Sequence, residues 1–288
     1  MNAQFMRFNT EDNLILQGVI YRPVQPTKNA YLHIHGMGGN FYENRFLDVM
    51  AHQLTEAGFA FVSINTRGHD TIADFPLVGE KEVYKRIGNA FEIFEECLFD
   101  IKAAINHLQK EGFGNIVLGG HSLGAVKVAY YVAEAQDDRI SRLVLMSPPD
   151  MISLAEVEDD ASEFLRASQQ MIKEGRGDEL LPKKLWDGYY LSAKTYLNLS
   201  TRDLPVDIFN IYDESKPSSL GKITIPALAL LGEHDDAVTI PQQKALEIIK
   251  QKATSASKFD IKVIPKANHG YFGREEEMTK AIVDWLHA

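Results

Sequence analysis

The chain has one cysteine, Cys97, among 288 residues. No intrachain disulfide can form, so the core alone must hold the fold, which suits a reducing compartment. No apolar run approaches the roughly 20 residues that a membrane-spanning helix needs. Met1 to Arg7 contain no basic segment leading into an apolar one, so no secretory signal is read there. No internal repeat, low-complexity tract or Pro/Gly/Ser linker divides the chain. Positive charge is also scarce: 30 Lys and Arg stand against 40 Asp and Glu, a formal charge of -10. That balance lacks the phosphate-neutralising charge of a nucleic-acid binder and the attraction of a basic protein to anionic membranes. The expectation is a cytoplasmic protein without a nucleic-acid or membrane partner; oligomeric state is left open.

What is present is ordinary for a globular protein, with 45% hydrophobic and 24% charged residues. The length allows one large α/β domain, or a domain with an insertion. Phe5 to Asn9 and Leu14 to Tyr21 read as strands joined by a polar turn, Thr10 to Asn13. Tyr31 to His35, Phe59 to Ile64, Asn115 to Gly119, Leu143 to Met146, Ala227 to Leu231 and Asp260 to Ile264 read as buried strands. Helical stretches alternate with them: Arg45 to Ala57, Phe94 to Lys110, Leu123 to Ala135, Pro241 to Ala253 and Glu275 to His287. This alternation predicts βαβ units and a mostly parallel central sheet flanked by helices, with the first hairpin adding antiparallel strands at one edge.

Two stretches break the rhythm. Asp70 to Ile93 is longer than an ordinary connection. Met151 to Lys222 carries amphipathic helical pieces and many aromatics, among them Trp186, Tyr189, Tyr190, Tyr196, Phe209 and Tyr212. The expected organisation is a core of residues 1–150 and 223–288, with 151–222 as a helical cap or lid. Most of the cap aromatics are expected to form its own core; some could line an acyl pocket.

The sharpest motif is Gly119-Gly120-His121-Ser122-Leu123-Gly124, with G-x-S-x-G at Gly120, Ser122 and Gly124. Three fixed positions recur by chance, but here an apolar strand precedes them and a small-residue helix comes after. That context describes a nucleophile elbow. A serine on a tight strand-to-helix turn is strained, and residues two away must be small. The helix N-terminus favours negative charge developing at the hydroxyl. With these residues the sequence resembles the α/β-hydrolase fold family along nearly the whole chain, as a serine esterase-like member with a cap insertion.

The resemblance implies an oxyanion loop at His35-Gly36-Met37-Gly38-Gly39, with the backbone N–H groups of Met37 and Leu123 as the donors. It implies His269, in Asn268-His269-Gly270, as the base. The G-x-x-D spacing in Gly232-Glu233-His234-Asp235-Asp236 selects Asp235 as the acid; Asp236 and Asp150 are the alternatives. Asn65-Thr66-Arg67-Gly68-His69-Asp70 resembles the family's N-x-R-G-x-G segment, except that Asp70 replaces the last glycine; Arg67 is read as structural. His33 and His35 share a strand face but lack a clear third ligand, so no metal is expected. His121 reads as a packing or hydrogen-bonding neighbour, and Cys97 as a small core residue.

The expected chemistry is two-step acyl transfer on a small-molecule carboxylic ester, through Ser122, His269 and Asp235, with no cofactor. A serine at 122 sets aside the aspartate-nucleophile branches of the fold. Thioester, lactone, amide and peptide cleavage use the same machinery and stay open. So does a ligand-binding or receptor member of the fold with little turnover.

Overall fold

The computed structural model describes residues 2–79, 82–186 and 188–288. Among the described residues ten strands run β1 (Asn2–Asn9), β2 (Ile15–Arg22), β3 (Asn29–Ile34), β4 (Ala60–Ile64), β5 (Asp74–Pro76), β6 (Tyr84–Arg86), β7 (Asn115–His121), β8 (Ile140–Met146), β9 (Ala227–His234) and β10 (Phe259–Asn268). Eight of them form one sheet in the order β1-β2-β4-β3-β7-β8-β9-β10. β1 and β2 pair antiparallel, as do β2 and β4. The pairs from β4 through β10 are parallel. The sheet, its parallel character and its antiparallel edge match the sequence expectation.

The helices are α1 (Phe46–Glu56), α2 (Cys97–Lys110), α3 (Leu123–Ala135), α4 (Met151–Glu156), α5 (Ala161–Lys173), α6 (Ala193–Ser200), α7 (Gln242–Lys252) and α8 (Glu275–Leu286). Alternate strand residues point to opposite faces, so the sheet is apolar on both. Tyr31, Phe61, Val117, Val144 and Leu228 face α1 and α8. Leu32, Val62, Leu118, Leu143 and Ala229 face α2, α3 and α7. The stripe Phe46, Met50 and Leu54 is the buried face of α1. Gly58, at φ +84, ends that helix in the left-handed conformation glycine permits.

Two local details differ from the sequence expectation. Phe94–Glu96 is a 3-10 turn, and the α-helix starts at Cys97. Within residues 70–93, β5 and β6 pair as a small hairpin held by Arg86 on Asp74 at 2.8 Å. Between β8 and β9 lie α4, α5 and α6 with 3-10 turns at Pro205–Ile208 and Ser219–Lys222. Phe164 stacks on Tyr196 at 5.5 Å there, and both join the apolar core of the α2–α3–α7 layer. Among the described residues no helix is long and apolar enough to cross a membrane.

Candidate active site

Parallel strands gather the loops beyond their carboxyl ends on one rim of the sheet. The rim holds the loop after β3, Ser122 after β7, Ser147 after β8, Asp235 after β9 and His269 after β10.

Ser122 sits at φ 56, ψ -128, between β7 and α3. The neighbouring glycines make this turn possible. A Cβ on Gly120 would lie 2.2 Å from the Gly124 carbonyl oxygen, and one on Gly124 would lie 2.2 Å from that of Ile34. Gly36 backs onto the serine itself: a Cβ there would come within 2.9 Å of the Ser122 Cβ. The elbow therefore needs glycine at 120 and 124, and the loop after β3 needs it at 36. Leu123 begins α3, so its N–H has no intrahelical acceptor.

The loop after β3 is fixed by His35. The Thr66 N–H donates to His35 Nε2 at 3.0 Å, so the ring proton is on Nδ1, which lies 2.7 Å from the Gly36 carbonyl oxygen. The same carbonyl accepts from the Gly39 N–H at 3.1 Å. Because a trans peptide is planar, the Met37 N–H points away from that anchored carbonyl. Burial first, and then the charge of Lys127, push the His35 pKa well below its usual value. The ring stays neutral, and both nitrogens are committed.

Asp235 is buried and His269 is partly exposed; Nδ1 of His269 is 2.8 Å from Oδ1 of Asp235. Burial alone would raise the Asp235 pKa. The His269 hydrogen bond and charge, the Ser147 hydroxyl and the Ala237 N–H outweigh it, and the carboxyl is held below its usual range. Asp236 is exposed nearby. Asp150 is engaged elsewhere: it caps α4 through Ser153 and accepts the Tyr212 N–H at 3.1 Å. Burial outweighs those bonds and raises its pKa. Of the three candidate carboxylates, Asp235 is the one bonded to His269.

His121 Nε2 is 2.8 Å from the His269 carbonyl oxygen, and the two rings are 4.9 Å apart. Burial, then the neighbouring His269, lower the His121 pKa to about 3. His121 thus holds the His269 backbone as a neutral donor. Sequence reasoning does not single out Ser147. Its hydroxyl oxygen lies 3.2 Å from the same carbonyl oxygen and 3.0 Å from the Tyr271 hydroxyl, so its one proton is shared among these partners and Asp235. A polar residue at the end of β8, level with the other rim residues, was the available signal.

Ser122, His269, Met37 and Leu123 line one cavity of about 500 Å³, together with Met151, Leu154, Val157, Trp186 and Tyr189 from the segment between β8 and β9. Tyr190 does not line it; its ring lies 4.9 Å from the Lys184 ammonium. Among the described residues, the one group of His, Cys and carboxylate side chains close enough to share a metal ion is Asp235, Asp236 and His269. His269 Nδ1 in that group is already taken by Asp235. His33 packs against Phe46 and Phe61, with neither ring nitrogen partnered.

The family model described as "Protein of unknown function (DUF1749)" matches residues 95–288. The chain belongs to this family. An AB hydrolase superfamily protein of Bacillus subtilis, YisY, is 23% identical over 270 residues, covering 88% of this chain and 89% of that one. A Mycoplasma pneumoniae protein provisionally named esterase/lipase 3 is 26% identical over 182 residues, 62% of this chain. The match spans 65% of that relative's own length. Among solved structures, Est1E of Butyrivibrio proteoclasticus with bound ferulic acid has a TM-score of 0.68 at 22% identity, covering 98% of this chain and 97% of that one. The fold is that of the α/β-hydrolases.

Proposed function

We propose that this DUF1749 chain is a serine hydrolase that cleaves a carboxylic ester of a small molecule. Ser122 is the nucleophile, His269 the general base and Asp235 the residue that orients it. The observation that carries the reading is the buried, ionised Asp235 on His269 Nδ1, with His269 in one cavity with a serine on a glycine-flanked elbow. The names of the relatives point the same way.

In the proposed reaction the Ser122 oxygen attacks the ester carbonyl as its proton passes to His269 Nε2. Such contacts are often long in an empty site and tighten with substrate. The oxyanion rests on the N–H groups of Met37 and Leu123. The carbonyl–alkoxide bond then breaks, and the leaving alcohol takes the proton from His269. Water, deprotonated by the same histidine, releases the acid from Ser122. Asp235 holds the tautomer and stabilises the imidazolium without taking the proton itself. Residues 151–222 act as the cap, and Trp186 with Tyr189 forms the cavity wall that reads the substrate.

A series of p-nitrophenyl esters of increasing acyl length tests this. The expected result is turnover that depends on chain length, is lost in Ser122→Ala, and shifts toward longer chains in Trp186→Ala. A folded protein that turns over none of the series, or a Ser122→Ala variant that retains full activity, contradicts the reading.

A further inference from the structure

Asn89 is a buried amide whose hydrogen bonds are unmade. It is 1% exposed, and among the described residues neither Nδ2 nor Oδ1 has a partner. Burying an amide without partners costs stability, and a leucine of similar shape would avoid that cost. The backbone that carries it is firmly placed. The N–H groups of Gly88, Asn89 and Ala90 donate to the carbonyls of Arg67, Asp70 and Thr71 at 3.1, 2.9 and 2.9 Å, and the Ala90 carbonyl accepts from the Ser192 N–H at 2.8 Å. Gly88 lets the chain turn there: it sits at φ +73, and a Cβ on it would lie 2.7 Å from the Ile72 Cα. The polar side chains around Asp70 are committed to one another. Asn40 Nδ2 donates to Asp70 Oδ1 at 3.0 Å, and His69 Nδ1 lies 3.0 Å from Oδ2.

The Asn89 amide abuts the loop after β3. A Cβ added to Gly38, at φ +60, would meet Cε1 of Tyr189 at 3.5 Å and Cγ of Asn89 at 3.7 Å, both ordinary contact distances. Glycine at 38 therefore leaves room for a methyl-sized group between the Tyr189 ring and the Asn89 amide. Tyr189 and Met37 line the cavity. Gly38 follows Met37, whose N–H the proposed reaction uses, and successive Cα atoms are about 3.8 Å apart. A group seated beside Gly38 is thus within a few bonds of the reacting carbonyl. The amide is neutral, so it does not compensate a buried charge. A hydroxyl is methyl-sized and meets the amide through either atom, accepting from Nδ2 or donating to Oδ1.

We infer that Asn89 binds a hydroxyl of the substrate, seated between Gly38, Tyr189 and the amide. The inference rests on the proposed hydrolase reading and names its substrate class, a hydroxy ester. The hydroxyl belongs to the acyl chain or to the alcohol, and the test separates the two.

Three pairs of esters are compared, each a hydroxyl compound and the isostere with methyl in its place. Two are p-nitrophenyl esters with the group on the α-carbon or the β-carbon of the acyl chain. The third is an acetate ester with the group on the second carbon of the alcohol. Each kcat/KM is divided by the rate of spontaneous hydrolysis, because a hydroxyl alters intrinsic reactivity. The expected result is a hydroxyl-to-methyl ratio of about tenfold or more in at least one pair, since a site built to bond a hydroxyl rejects the analogue lacking it. Asn89→Leu brings that ratio toward one and unfolds in urea no earlier than the native protein. The native ratio is decisive even where the variant fails to fold. A ratio within about twofold of one in all three pairs, or one that Asn89→Leu leaves unchanged, overturns the inference and leaves the hydrolase reading intact. If no ester is cleaved, the hydrolase reading fails. The uncleaved amide analogues of the same pairs then test the subsite by calorimetry. Saturable binding of a hydroxyl amide, stronger than that of its methyl isostere and lost in Asn89→Leu, supports it; equal binding or none overturns it.

Discussion

At the scale of single residues, the proposed reaction turns on which carboxylate serves His269. Asp235→Asn leaves the ring without its ionised partner and favours the wrong tautomer, so kcat should fall by roughly 10³ to 10⁴. Asp150→Asn should retain most of the activity, because Asp150 caps α4 and braces Tyr212 instead. Steady-state rates on a simple ester decide it; a larger loss in Asp150→Asn would move the acid to the end of β8. Ser122, Asp235 and His269 stood out in the sequence as candidates because each sits in a short pattern beside a strand end, and the structure puts Asp235 on His269 and His269 in one cavity with Ser122. Ser147 did not, because its meaning comes from the His269 carbonyl, 122 positions away.

At the scale of elements, the segment from Asp70 to Glu96 is tied to α3, the helix that starts after Ser122, by a buried ion pair. Lys127 of α3 meets Glu92 at 2.5 Å, with both side chains almost wholly inaccessible. Glu92 packs so closely on Gly68 that a Cβ there would lie 2.0 Å from its carboxylate oxygen. This is the physical use of the glycine in the Arg67-Gly68 motif. Removing one partner strands a buried charge, so Lys127→Met should cost about 3–5 kcal/mol in denaturant unfolding. The double variant Glu92→Gln with Lys127→Met should recover most of that loss; additive losses would contradict the pairing. Strand and helix stretches were readable from their periodicity. The β5–β6 hairpin was not, since each strand is three residues long and is fixed by Arg86 on Asp74 rather than by an apolar pattern.

At the scale of the whole molecule, buried neutral histidines set the response to acid. Burial, then the neighbouring histidine, lower the pKa of His33 and of His121 to about 3. Unfolded, they would titrate near 6.5. Between those values the unfolded chain binds protons that the folded chain does not, so stability is present above about 6.5 and is lost as pH falls toward 3. Each group adds a slope of up to about 1.4 kcal/mol per pH unit, and His35 acts in the same direction. Urea unfolding at several pH values should show the decline beginning above the range where carboxylates titrate. His33→Leu, which removes two unpartnered ring nitrogens, should stabilise the fold by about 1 kcal/mol at pH 7 and flatten the decline. A pH-independent stability down to pH 5 would contradict this explanation.

The central claim is that Ser122 is a nucleophile activated by His269. It is tested most directly by treating the protein with a fluorophosphonate and mapping the adduct by peptide mass. The expected result is one stoichiometric adduct on Ser122, absent in Ser122→Ala and formed far more slowly in His269→Ala. A folded protein that takes up no label, or takes it up at another residue, would contradict it.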